Sequence, residues 1–249
     1  MRTLLLLALM LSSALAMGDE PNNASPIKVL LVTGGCCHDY PYQTRAMQAA
    51  FEEHKVEAKW TVVNEGGNGT RAEIGLYDNP DWAKGYDVVV HNECFADTRS
   101  ADYIRKITKA HYDGEPAVVI HCAMHTYRAA QVDDWREFLG MTSRRHDHQA
   151  NYPVKIVEAE HPITQGIDAD WVTPKDELYI IESIWPKATV LATSNSEVDG
   201  GSHPVFWTNE YGKGRVFGTT YGHSNEMFDD KNFRRALVQG ISWAAGRID

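Results

Sequence analysis

Long apolar stretches are scarce in this chain of 249 residues. The one extended run, Leu4 to Leu11, is too short to remain in a bilayer as a span. The expectation is a soluble mature protein with no stable membrane span. Basic residues are also scarce, with 24 Lys and Arg against 34 Asp and Glu and a formal charge of −10. That balance, without a basic stripe, argues against nucleic acid and anionic membranes as partners, and a neutral or cationic ligand fits better. Repeats, low-complexity tracts and a dividing linker are lacking, so the chain reads as one domain of a length that α/β folds commonly use. Cysteine is rare: Cys36, Cys37, Cys94 and Cys122. Their spacing matches neither a zinc ribbon nor a small disulfide framework. Adjacent Cys36 and Cys37 are not expected to bond each other, and burial as small apolar residues is expected for at least two of the four.

What is present begins with an export signal. Arg2 precedes the apolar run, and Ala14-Leu15-Ala16 offers small residues for cleavage after Ala16. No cysteine sits just after that point, which argues against lipidation. Removing residues 1–16 of 249 leaves 233 and, with Arg2 gone, takes the formal charge from −10 to −11. The expectation is a periplasmic or extracellular protein, where some cysteines could oxidise. Residues 17–26 read as a polar lead, and 27–249 as the folded domain.

Strand signals follow. Residues 27–33 are apolar at nearly every position and stop at Gly34-Gly35, as a strand buried on both faces does. A helix is predicted over 42–54, strands over 56–63, 86–91 and 116–121, a helix over 99–112, and a helical stretch from Ala123 toward Phe138. This alternation predicts a doubly wound, mainly parallel sheet with helices on both faces. Strands are further predicted over 152–158, 177–182, 188–193, 203–208 and 214–220, with a last helix from Asp230 to Ala245 bearing Trp243 in the core.

In a sheet of order 2-1-3-4, the carboxyl ends of strands one, three and four converge where ligands bind. Those ends carry Cys36-Cys37-His38-Asp39-Tyr40, then His91-Asn92-Glu93-Cys94, then His121-Cys122-Ala123-Met124-His125. The turn after strand four resembles a nucleophile elbow, with His121 or Cys122 at its tip. Three chemistries stay open. Cys122 could be a nucleophile at a helix N-terminus. His38, His121 and His223, with Glu93 and His125, have the ligand types of a divalent metal site, without a His-Glu-x-x-His signature. Alternatively the histidines move protons without a metal, oriented by Asp39 or Glu93. Tyr40, Tyr42, Phe95, Tyr127, Trp207 and Tyr221 could stack on a sugar. His54, His111, His146 and His148 are expected to bond backbone carbonyls or face solvent, and His161 to shape a turn with Thr164.

These segments, taken in order, resemble the ThuA-like (trehalose utilisation) family within the class I glutamine amidotransferase-like superfamily. The resemblance rests on Val29–Gly35 with His38-Asp39-Tyr40, Val119-Ile120-His121, His161–Ile167 with Asp176-Glu177-Leu178-Tyr179, Pro204–Trp207, and Gly212–Phe217 with Thr219–His223. It extends to Gly240–Gly246. It implies a flavodoxin-like core and an enzyme acting on a small carbohydrate, such as a disaccharide or keto-sugar. His121, His223, His38, Glu93 and Cys122 are then candidates for catalysis, and Asp39, Tyr40, His125, Tyr127, Trp207 and Tyr221 for substrate binding. The elbow lacks the flanking glycines of glutaminases, and His223-Ser224-Asn225-Glu226 has one residue more than their His-x-Glu. Glutamine hydrolysis is therefore not expected. The alternatives are a non-catalytic carbohydrate-binding domain and a Cys122-dependent hydrolase or amidotransferase.

Overall fold

The structure is a computed structural model, and it describes residues 25–249. The expected leader, and all but the end of the polar lead, lie outside the described residues. Among the described residues, no helix is long and apolar enough to cross a membrane.

Strand β1 (Ile27–Gly35) is buried at every position but Lys28. It lies between β2 (Ala58–Asn64) and β3 (Val88–Cys94), parallel to both. Next come β4 (Ala117–Ile120), parallel to β3, and β10 (Gly214–Thr219), parallel to β4. The sheet then turns antiparallel through β9 (Ser202–Tyr211), β8 (Ala188–Asn195) and β6 (Lys155–Ile156). Its order is β2-β1-β3-β4-β10-β9-β8-β6. The parallel half has the order expected from sequence. The central strands are buried on both faces, which is why their sequences do not alternate.

Each face has its own apolar layer. Helices α1 (Tyr40–Glu53) and α5 (Lys231–Ala244) cover one, through Met47, Phe51, Phe233, Leu237 and Ile241. Helices α2 (Ala101–Asp113) and α3 (Asp134–Leu139) cover the other, through Ile104, Ile107, Trp135 and Phe138. Local chemistry sets the helix starts: Asp39 accepts from the Tyr42 N–H, Ser100 from Tyr103, and Asp230 from Asn232 and Phe233. Gly240 lets α5 approach the sheet, since a Cβ there would fall 2.1 Å from the Phe217 ring.

Several elements depart from the sequence expectation, among them the strand expected over 152–158, of which only Lys155–Ile156 pairs as β6. The stretch from Ala123 toward Phe138 is not one helix. It is a single 3₁₀ turn at His121–Met124, a run of turns, and then α3. Tyr127, at φ +60°, interrupts helical backbone there. Strand β5 (Met141–Ala150) was not expected; it pairs antiparallel with β7 (Asp176–Ile184) as a separate two-stranded ribbon. A short helix, α4 (Asn225–Asp229), precedes α5. Trp243 is half-buried beneath Arg215, whose guanidinium carbon lies 4.2 Å from the ring centre, rather than sealed in the core.

Candidate functional site

The carboxyl ends of β1, β4 and β10 bring three imidazoles together. His38 follows β1, His121 follows β4, and His223 follows β10. Ring centres are 4.9 Å apart for His38–His121 and His38–His223, and 5.4 Å for His121–His223. One nitrogen from each ring lies within 4.8 Å of the other two. His121 occupies the elbow, and its φ of +47° is the left-handed conformation that such a turn demands.

Backbone carbonyls fix two of the rings. Carbonyl oxygens only accept, so each bonded ring nitrogen carries the proton. His121 Nδ1–H donates to Thr220 O at 2.6 Å, and His38 Nδ1–H donates to His223 O at 3.3 Å. Each therefore keeps Nε2 as a lone-pair donor, the arrangement that orients metal-binding histidines. Burial, with neighbouring imidazoles adding to it, lowers both pKa values: His38 to about 4 and His121 well below its ordinary value. Both rings are neutral near pH 7.

A carboxylate completes the group. Glu177, at the start of β7, places Oε2 at 3.6 Å from His121 Nε2 and 3.3 Å from His223 Nδ1. The second contact is short but off the line of a hydrogen bond, so it acts mainly through charge, favouring protonation of His223 and ionisation of Glu177. Burial opposes ionisation of Glu177, but His223, His146 and Gln149 outweigh it and lower its pKa. Glu177 in turn raises the pKa of His223. Gln149 from β5 reaches His223 Nε2 at 2.7 Å. Asp176 is fully buried and holds the loop carrying His223, accepting from the backbone N–H groups of Glu177, Gly222, His223 and Ser224. Burial raises its pKa to about 6 despite those donors.

A pocket of about 270 Å³ opens above this group. His38, His125, Arg128, His146, Glu177, Tyr179 and His223 line it with all four cysteines, and His121 lies just beneath, 1% exposed. A larger, shallower groove between Phe51 and Trp60 has no histidine or cysteine in its walls.

Several expected residues lie elsewhere. Glu93 is buried and bonded to His91 Nδ1 at 3.0 Å, and His91 Nε2 meets His111 Nε2 at 3.0 Å. This buried Glu93–His91–His111 chain packs among Trp82, Trp135 and Phe138 and does not line the pocket. Cys122 is bonded to Cys94, and Cys36 to Cys37. Neither the free Cys122 nucleophile nor the separation of Cys36 from Cys37 is realised, and a single 3₁₀ turn stands where an activating helix was expected. Trp207, Tyr221 and Tyr127 are buried; Trp207 Nε1–H donates to Leu139 O, and Tyr221 O–H donates to Ser194 Oγ. Tyr40 is buried beside the cysteines and donates to Cys36 O, while Asp39 caps α1. They support the site without offering a stacking face. His125 does line the pocket, stacked on Tyr179 with ring centres 3.9 Å apart.

Gln149, Arg128 and the pocket role of His146 were missed; Glu177, which the resemblance left either in the crevice or on a solvated turn, lines the pocket. His146 bonds Asp147 O as expected, but it also stands 3.8 Å from Glu177 and lines the pocket. The signal for Glu177 was its place in Asp176-Glu177-Leu178-Tyr179. His54 bonds Ala50 O and His148 faces solvent, as expected, with His148 also pairing with Asp147 and Glu197. His161 shapes a turn, with Ile163 N–H donating to its ring and Thr164 bonding the preceding carbonyls.

The sheet order, with a left-handed elbow at the end of β4 and its polar group at the strand ends, defines a class I glutamine amidotransferase-like α/β fold with a histidine in place of a nucleophilic cysteine. Within that class, the ThuA (trehalose utilisation) family model matches residues 28–244, and the chain belongs to this family. It is similar in structure to a ThuA-like protein of Parabacteroides merdae, with a TM-score of 0.75, 20% identity, and coverage of 90% of this chain and 91% of that one. A ThuA-like protein of Bacteroides uniformis gives a TM-score of 0.68 at 17% identity, covering 91% and 95% of the two chains. A GMP synthase component from Thermoplasma acidophilum gives 0.55 at 11% identity, covering 90% and 96%. At these identities the likeness is one of fold. No curated protein matches the chain.

Proposed function

We propose that this protein is an exported enzyme acting on a small sugar or keto-sugar, with a divalent cation held by His38, His121 and His223 beside Glu177. One observation carries the reading. A neutral His121 presents its Nε2 lone pair to the Glu177 carboxylate at 3.6 Å, with two further imidazoles in reach. The Tyr179 hydroxyl also reaches that nitrogen, at 3.4 Å, but the two facing acceptors still repel, and a cation between them relieves both. Three imidazoles and a carboxylate suit zinc or a similar ion, and the carbonyls on His38 and His121 are the outer partners such ligands use. When bound, the ion would supply Lewis-acid polarisation of a sugar oxygen.

The chain's own groups do the rest. His38 and His121, held neutral by burial, stay unprotonated as ligands through the neutral pH range. Glu177, kept ionised by His223 and His146, is placed to accept a proton from a substrate hydroxyl or water. Arg128, on the pocket wall, is a donor for sugar hydroxyls, and His146, whose Nδ1–H is held by Asp147 O, offers Nε2 as an acceptor. The family's link to trehalose utilisation supports a disaccharide or its oxidised form as substrate.

The test is to purify the protein without a histidine tag, load it with Zn²⁺, and incubate it with trehalose, keto-sugar forms of it and related disaccharides. Products are followed by mass spectrometry. The reading expects a product that disappears in Glu177→Gln. Saturable sugar binding with no product from any substrate would instead identify a binding domain.

A further inference from the structure

The four cysteines form a graded pair of disulfides that the sugar chemistry does not use. They come from three separate strand ends: Cys36 and Cys37 after β1, Cys94 at the end of β3, and Cys122 after β4. Their exposure falls steadily inward. Cys37 is exposed and Cys36 half-buried, while Cys94 and Cys122 are only 2% and 9% exposed. Cys36 Sγ stands 3.7 Å from Cys94 Sγ, so the outer disulfide touches the inner one. The contact is held from both sides. Cys36 N–H donates to Cys94 O, and Tyr40 O–H donates to Cys36 O at 2.9 Å. Gly35 pairs with Cys94 across β1 and β3 and admits this approach, because a Cβ there would fall 2.3 Å from Cys94 O.

We infer that the protein is a dithiol–disulfide exchange relay, passing two electrons from an external small dithiol through Cys36–Cys37 to Cys94–Cys122. A thiolate of the dithiol attacks the exposed Cys37 Sγ. The Cys36–Cys37 bond breaks, a mixed disulfide forms on Cys37, and Cys36 leaves as a thiolate. The second thiol of the reductant then displaces Cys37, leaving a cyclic disulfide of the reductant and two reduced cysteines. Cys36 thiolate attacks Cys94 Sγ, forming Cys36–Cys94 and releasing Cys122 as a thiolate. Cys37 thiolate attacks Cys36 Sγ, restoring the outer disulfide and releasing Cys94. The net change is oxidation of one dithiol and reduction of one disulfide, with two protons moving from the donor to Cys94 and Cys122. Exposure sets the direction of attack: striking Cys37 makes Cys36, the sulfur beside Cys94, the leaving group. This inference is independent of the sugar reading and of the histidine site.

Two experiments on the mature protein test it. In Cys37→Ser, Cys36 starts as a thiol, so exchange proceeds without a reductant. After alkylation and proteolysis, a Cys36–Cys94 linked peptide with alkylated Cys122 is expected. Finding only Cys94–Cys122, with Cys36 alkylated, overturns the relay. In the wild type, limiting dithiothreitol with timed alkylation gives the rate at which Cys94–Cys122 opens. Removing the outer pair in Cys36→Ser/Cys37→Ser should slow that opening by about tenfold or more, because the attacking sulfur is gone and access is then limiting. Equal rates would show that the dithiol reaches the inner disulfide directly through the pocket, and the relay would be refuted.

Discussion

Replacing His121 by Asn separates the metal site from the fold. The residue sits at φ +47°, where a non-glycine side chain costs about 1–2 kcal/mol. Asn adopts that conformation more readily than most residues. Its amide also falls near the position of the imidazole Nδ1, so it can still donate to Thr220 O, now at 2.6 Å from the ring nitrogen. What disappears is Nε2, the atom facing Glu177 at 3.6 Å. Relief of backbone strain offsets part of the lost packing, and the net stability change should be within about 1–2 kcal/mol. For a domain of this size, about 1 kcal/mol corresponds to a shift of roughly 2–4 °C in melting temperature. Zinc affinity should fall by at least about 100-fold, the upper end of what loss of an outer partner alone costs. Competition with a chromophoric chelator measures the affinity, and thermal denaturation of the metal-free protein measures the fold. Unchanged zinc affinity in a folded variant would refute the assignment of His121 as a ligand.

Three further outcomes follow from the structure. Glu93→Ala removes the carboxylate from a buried chain with His91 and His111, and should cost about 3–5 kcal/mol in a denaturant titration; a loss below about 1 kcal/mol would contradict that structural role. Burial, reinforced by His91 for His111 and by Arg128 for His125, pushes both pKa values down to about 3. Their folded values lie below the unfolded value of about 6.5, so each stays neutral in the fold and takes up a proton on unfolding; stability is full above about pH 6.5 and falls toward about pH 3 by about 1.4 kcal/mol per pH unit for each ring. Urea midpoints that stay flat from about pH 7 to about pH 4 would contradict this. Gly240→Ala drives a methyl into the Phe217 ring and should destabilise by about 1–3 kcal/mol, read as a lowered melting temperature with zinc binding intact.

The parallel half of the sheet was legible because Val29–Val32 and Val88–Val90 are buried on both faces and so appear as unbroken apolar runs. The convergence of His38 and His121 followed from strand order alone. Strand β5 was hidden because Met141–Ala150 is largely polar and its pairing with β7 slips at three places, which breaks the alternation of period two. Missing β5 also hid Gln149 and His146, and with them the ribbon that aims Glu177 into the pocket. The aromatic assignments failed for a related reason. Trp207 lies over Gly218, where a Cβ would be 2.2 Å from its ring, and such a fit between neighbouring strands leaves no pattern along either one. Cys122 beside His121 gave two candidates for one elbow; the family resemblance favoured His121, and the backbone agrees, since φ is positive at His121 and not at Cys122.

The most direct measurement is anomalous X-ray scattering at the zinc edge from crystals of the protein grown with Zn²⁺. A single strong peak bonded to one nitrogen each of His38, His121 and His223 is the expected result, and zinc found only elsewhere, or three imidazoles bonded solely to protein, would contradict it.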